Sequence, residues 1–193
     1  MADDPDLELV LALQNGDDLA LNALMDRHRE PLFRFLYRYA RNETIARDMA
    51  QEAFVKAYFH IKEFRPGPRF STWLYRIALN LCYDYARSKH GKRALLHEPI
   101  PMPGEEGVTA NLAGKGCGPA EGVVISEELA NVQQAIAELP HDLKAALLLH
   151  VVEEHSQKEV AEMLGTTPKS IELRVYRARK LLNVALGIVT ENG

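Results

Sequence analysis

The sequence predicts an all-α protein: two small helical domains joined by a flexible linker, the second a four-helix domain built around a helix-turn-helix. Three observations predict it. Apolar residues recur at helical spacing through both ends of the chain, and no convincing alternating strand interrupts them. That periodicity vanishes over 97–123, where Pro99, Pro101, Pro103, Gly104, Gly107, Gly114, Gly116, Gly118 and Pro119 gather. Near the end, 156–182 reads as a short capped helix, a glycine turn and a second capped helix rich in arginine. The expected boundaries are 1–96, a linker at 97–125, and 126–193.

The first domain opens with a helix over 7–14, then Gly16-Asp17-Asp18, a turn from which a second helix restarts at Asp18. Leu21, Leu24, Met25, Leu32, Phe35, Leu36 and Tyr39 form its apolar stripe, and Pro31 predicts a kink or break within it. Asn42 is placed to cap the next helix, where Ile45, Met49, Ala53, Ala57 and Ile61 recur and Phe54 and Tyr58 widen the buried face. Arg65-Pro66-Gly67-Pro68-Arg69 excludes helix and predicts a loop. A long helix follows over 71–88, capped by Ser71 or Thr72, with Trp73, Leu74, Ile77, Leu81 and Tyr85 on one side. Trp73 shares its face with Ile77, which predicts core packing.

After the linker, a helix from Ser126 through Leu139 buries Leu129, Val132, Ile136 and Leu139, and Pro140 ends it. An apolar helix over 143–152 carries Leu147, Leu148, Leu149, Val151 and Val152. Ser156 and Glu159 then make a capping-box pattern, with Val160, Ala161 and Leu164 inward. Gly165 supplies the left-handed turn, Thr167 the next cap, and Pro168 the first helical position. Ile171, Val175, Ala178 and Leu182 share the buried face of the last helix. Its other face shows Lys169, Ser170, Glu172, Leu173, Arg174, Tyr176, Arg177 and Lys180, with Arg179 beside them. This is the arrangement that presents a second helix to the DNA major groove.

Charge supports a nucleic-acid partner despite a net charge of −4 over 193 residues. Screening confines charge effects to roughly 10 Å, so the distribution matters more than the sum. Acid gathers at the N-terminus and through Glu98–Glu128. Base gathers at 27–41, 87–93 and 169–180. No apolar run is long enough to cross a bilayer, the acidic N-terminus is unlike a signal or transit peptide, and Cys82 and Cys117 make no disulfide framework. A cytoplasmic, reduced protein is expected. His90, His97 and Cys117 do not match a zinc motif, so no metal or other cofactor is expected. No nucleophile or phosphate loop accompanies the carboxylates at 48–52, so an enzyme is not expected.

Three segments carry a resemblance: Asp48-Met49-Ala50-Gln51-Glu52-Ala53-Phe54, then Phe70-Ser71-Thr72-Trp73-Leu74-Tyr75-Arg76-Ile77-Ala78-Leu79-Asn80, then Tyr176-Arg177-Ala178-Arg179-Lys180-Leu181-Leu182. In this order and spacing the chain resembles extracytoplasmic-function (ECF) sigma factors of the sigma-70 superfamily, across both domains and excluding the linker. The resemblance implies a dissociable initiation factor. Asp48, Gln51, Glu52 and Lys56 would meet the clamp helices of the largest subunit of core RNA polymerase. Phe64, Arg65, Phe70, Tyr75, Arg76, Asn80, Arg87, Lys89, Lys92 and Arg93 would read and melt the promoter −10 box. Lys169, Ser170, Glu172, Leu173, Arg174, Tyr176, Arg177, Arg179 and Lys180 would serve the −35 box, with Arg174 and Arg177 the best candidates for base contact. Glu172 stands where many members carry lysine; an acid there repels phosphate or accepts from a cytosine amine. An anti-sigma factor is implied as a further partner, and an accessory domain beyond Gly193 is not expected. Two alternatives remain: a dimeric helix-turn-helix regulator with twofold half-sites, and a sigma mimic that sequesters an anti-sigma factor.

Overall fold

The computed structural model describes residues 4–90 and 127–188. Lys92, Arg93 and the expected linker lie outside the described residues, as does the side chain of Lys89. Four helices precede the gap and four follow it, and among the described residues there is no strand.

The first group begins with α1 (Leu7–Gln14), α2 (Leu19–Ala40) and α3 (Glu43–His60). Pro31 does not break α2, which runs unbroken through it. The proline withdraws one backbone donor, but Leu24, Leu32, Phe35, Leu36 and Tyr39 are buried along one face on both sides of it. That continuous burial outweighs the lost bond. Arg41 ends α2 in the left-handed region (φ 54°), its N–H donating to the Tyr37 carbonyl. Asn42 caps α3, accepting from the Ile45 N–H at 3.0 Å. Met49, Ala53, Phe54 and Ala57 fill the core. Tyr58 does not join them: it is exposed and donates to Asp18 at 3.1 Å, because its position turns toward the α1–α2 turn.

A short 3-10 turn, Ile61–Glu63, leads into the proline-rich loop. Gln14 fastens this turn, donating through Nε2 to the carbonyls of Ile61 (2.7 Å) and Phe64 (3.0 Å). Helix α4 (Phe70–His90) starts one residue before the predicted cap. Its first amide is satisfied from far away: the Phe70 N–H donates to Asp4 Oδ2 at 2.9 Å. Asp6, itself buried, anchors the same N-terminal stretch through Arg27 (2.8 Å) and His28 (2.7 Å). Trp73, Leu74, Ile77 and Leu81 are core residues, and Cys82 is a fully buried thiol whose pKa burial raises.

The second group comprises α5 (Glu127–Glu138), α6 (His141–Leu147), α7 (Gln157–Met163) and α8 (Pro168–Ala185). Leu129 was expected inside, yet it is exposed on the first turn of α5. The single helix expected over 143–152 is instead α6 followed by a π-helical turn, Leu148–Val152, closed by the Glu153 N–H to the Leu148 carbonyl at 2.9 Å. The wider turn rotates Val151 and Val152 to solvent while Leu147, Leu148 and Leu149 stay buried. Ser156 and Glu159 form the predicted capping box, and Gly165 takes the left-handed turn at φ 60°.

The two groups are the two helical domains expected, and they pack against each other. Their buried residues form one continuous cluster that runs from Val10 to Ala178, with α4 against α6 and α7 and α2 against the π turn.

Candidate nucleic-acid interface

Helix α8 is locally well specified. Thr167 accepts from the Ser170 N–H at 3.2 Å, and Pro168 sits at the first position. Ile171, Val175 and Ala178 lock the helix onto α6 and α7. What remains is an outward row of Lys169, Glu172, Leu173, Tyr176, Arg177, Arg179 and Lys180, all exposed, with Ser170 half-buried. Lys169 Nζ and Glu172 Oε2 pair at 2.9 Å across one turn, so the acid in this row is neutralised by its own neighbour. Arg174 departs from the expectation. Its side chain is only 20% exposed and lies 3.8 Å from the Asp142 carboxylate of α6. Arg177 stays open, so the two arginines expected to act alike have different surroundings.

On α3, Asp48, Gln51 and Glu52 are exposed and Lys56 is half-buried, its Nζ 3.8 Å from Glu52. Two residues absent from the sequence reading continue this face. Val55 is exposed, and Phe59 is 74% exposed, edge-on to Tyr58. The signal was available: Phe59 falls seven residues after Glu52, two turns along the same helix face.

The aromatic residues expected to meet displaced bases do not face outward. Phe64, Phe70 and Tyr75 are all buried, Phe70 being 1% exposed. Phe64, Phe70 and Trp73 pack as a ring cluster with centroids 5.4–6.4 Å apart. Their spacing around a proline-rich loop serves to close that loop onto the core. Arg65 is exposed and donates to the Lys62 carbonyl, Asn80 is half-buried, and Arg87 is exposed. Arg76 turns to the second group, donating through Nε and Nη2 to the Glu162 carbonyl at 2.9 and 2.6 Å. Burial lowers its pKa.

Further contacts join the groups. Arg38 pairs with Glu153, and Arg69 lies 3.4 Å from Glu159. The Tyr39 hydroxyl shares a hydrogen bond with His141 Nδ1, and buried Lys144 sits 4.3 Å from the Tyr39 ring centroid. Tyr83 also lies against His141 with the rings tilted by 42°, and burial pushes its phenol up to about 12. No local pattern announces these pairings, since each partner is remote in the chain.

Comparison with known proteins places these elements. The sigma-70 region 2 profile matches residues 24–92, and the sigma-70 region 4 profile matches 129–182. The chain is 35% identical over 177 residues to the ECF RNA polymerase sigma factor SigW of Bacillus subtilis, covering 90% of this chain and 92% of that one. It is 33% identical over 178 residues to the ECF RNA polymerase sigma-E factor of Haemophilus influenzae, covering 92% and 93%. Its fold is similar to that of CnrH, solved in complex with the cytosolic domain of CnrY (TM-score 0.67, 24% identity, 97% of this chain and all, 100%, of that one). It is also similar to RpoE of Bartonella quintana, solved with the anti-sigma factor NepR (TM-score 0.60, 20% identity, 88% and 98%). The chain belongs to the ECF sigma factors of the sigma-70 family. It is thus an alternative sigma factor, acting in transcription initiation. Among the described residues, no helix is long and apolar enough to cross a membrane.

Proposed function

We propose that this sigma factor binds core RNA polymerase through the exposed face of α3, with Asp48, Gln51, Glu52 and Lys56 as contacts, and carries it to promoter DNA. Helix α8 enters the −35 box. Residues Lys169, Ser170, Glu172, Leu173, Tyr176, Arg177, Arg179 and Lys180 serve that contact, and Arg174 supports the helix through Asp142. The loop before α4 and α4 itself serve the −10 box, through Arg65, Arg76, Asn80 and Arg87, continued by Lys89, Lys92 and Arg93. The work is divided between 1–96 and 126–193, with 97–125 as the connection, and is done in the cytoplasm without catalysis by this chain.

The observation that carries this reading is the basic row on α8, held outward by a capped helix-turn-helix within the region 4 match. An anti-sigma factor is a further proposed partner; two structures of similar fold were each solved as complexes, one with a named anti-sigma factor. The test is run-off transcription with purified core polymerase on a promoter library. Product that requires this chain is expected. Tight binding to palindromic duplex without polymerase, and no run-off product, would favour the dimeric regulator instead.

A further inference from the structure

We propose that Asp4, just ahead of α1, and Gln14, its last residue, are positioning residues for the −10 strand: they hold the two ends of the loop before α4 and so aim it. The proposal rests on the reading that this loop and α4 serve the −10 box, and it gives α1 a part in that work.

The loop is stiff inside, so whatever holds its ends sets its direction. Pro66 and Pro68 lock their own φ and carry no N–H. Its middle is open: Arg65, Pro66, Gly67 and Arg69 are exposed, and a Cβ added at Gly67 would meet nothing within 4 Å. The buried Phe64 and Phe70 rings close its neck, their centroids 6.4 Å apart. Both backbone ends of that neck hang on α1. At the entry, Gln14 Nε2 donates to the Ile61 and Phe64 carbonyls, 2.7 and 3.0 Å away. At the exit, Asp4 Oδ2 accepts the Phe70 N–H at 2.9 Å, while its Oδ1 accepts the Asp6 N–H at 3.1 Å.

Helix α2 keeps the exit in register. Arg27 donates to the Pro5 carbonyl at 3.1 Å and to buried Asp6, and the His28 ring lies 5.5 Å from the Phe70 ring. Buried Val10 and Leu13 seat α1 itself. Ring packing alone closes the loop but is not directional; the hydrogen bonds from Gln14 and to Asp4 fix its tilt. A displaced strand that meets a loop already aimed does not bear the entropy of ordering it. Discrimination between bases also demands placement to about 0.5 Å, which a loop achieves only through such supports.

The test uses holoenzyme assembled from core polymerase and the full chain, and a pool of single-stranded DNA of random sequence. Strands retained above core alone are sequenced, and the selected strand and its scramble are then compared by fluorescence anisotropy. The native chain is expected to select a motif, and Asn80→Ala to close the affinity gap between the two strands. Asp4→Ala and Gln14→Glu are each expected to narrow that gap on the order of tenfold, the scale of one charge-assisted hydrogen bond, with core binding unchanged. Asp4→Asn keeps an acceptor for the Phe70 N–H and should restore most of the gap. Ser156→Ala removes a cap in the other domain and should leave the gap native, which separates aiming from general loosening. Asp4→Ala and Gln14→Glu chains with the native gap would overturn the proposal, and a gap closed by Asn80→Ala in the same experiment would leave the −10 reading standing. Equal narrowing by Ser156→Ala would overturn it as well. A native chain that selects no strand above core alone would remove the −10 reading and this proposal with it.

Discussion

Tyr75 and His155 meet edge to face, their ring centroids 5.3 Å apart and their planes at 77°. One belongs to α4 and the other lies just ahead of α7, so the pair sits at the seam between the two halves. Burial raises the Tyr75 phenol and lowers His155, with the nearby Glu153 and Glu159 pulling the imidazole partly back up.

A lowered histidine means that the folded chain favours the neutral ring. The unfolded chain then binds more protons in the acid range. His155 therefore contributes stability that is complete above the ordinary histidine range and is lost as pH falls through it toward the lowered value. His155→Phe keeps the edge contact and should flatten this part of the profile in thermal unfolding between neutral and mildly acid pH. An unaltered slope would show that other groups set it.

Glu159 behaves in the same direction for a different reason. Hydrogen bonds from the Ser156 side chain and then its backbone hold the carboxyl below the usual carboxylate range. The stability it contributes is present above the unfolded carboxylate value and is lost as pH falls through the folded one. Ser156→Ala should raise the Glu159 titration seen by NMR and cost about 1 kcal/mol, the usual worth of an N-cap. No movement of that resonance would mean the box does not govern the carboxyl.

Phe70→Ala tests whether a ring expected to contact DNA is instead structural, and Gly165→Ala tests the turn between α7 and α8. Phe70→Ala should cost about 3–5 kcal/mol, as for other large buried side chains. Gly165→Ala should cost about 1–2 kcal/mol, because φ is 60° there. Chemical denaturation measures both. A Phe70→Ala chain as stable as the native one but defective on DNA would return the ring to the interface.

Arg174 and Arg177 of α8 should separate. Arg177→Ala is expected to lower selectivity at the upstream box in a promoter library while core binding stays unchanged. Arg174→Ala should lower stability first, through the loss of Asp142 as a partner. Glu52→Lys should weaken capture by core polymerase without altering α8. Equal losses of core affinity in Arg177→Ala and Glu52→Lys would dissolve this division of roles.

Much of the local grammar was legible, though not the start of α4 or the π turn after α6. The Asn42, Ser156 and Thr167 caps, the Gly165 turn and the buried faces of α4 and α8 follow from short spacings whose physics lies within a few residues. Helix continuity through Pro31 was not legible, because propensity speaks only for the isolated segment while packing along the whole stripe decides the outcome. Tyr58 and Leu129 were misassigned for a related reason. A periodic apolar position at the margin of a stripe becomes core only if a neighbouring element covers it. The aromatics at 64–75 show the limit of residue type as evidence: a ring suited to stacking on a base is equally suited to a core. Contacts such as Arg76 with Glu162 or Tyr39 with His141 depend on how two remote segments dock, and nothing near either partner encodes them.

The Asp4 clasp on α4 has a practical side. The loop that α4 closes is held by a carboxylate that lies 66 positions upstream of its partner. A purification handle or fluorescent reporter fused ahead of Asp4 would crowd the very group that finishes that helix. Reporters attached downstream of α8 leave the clasp alone.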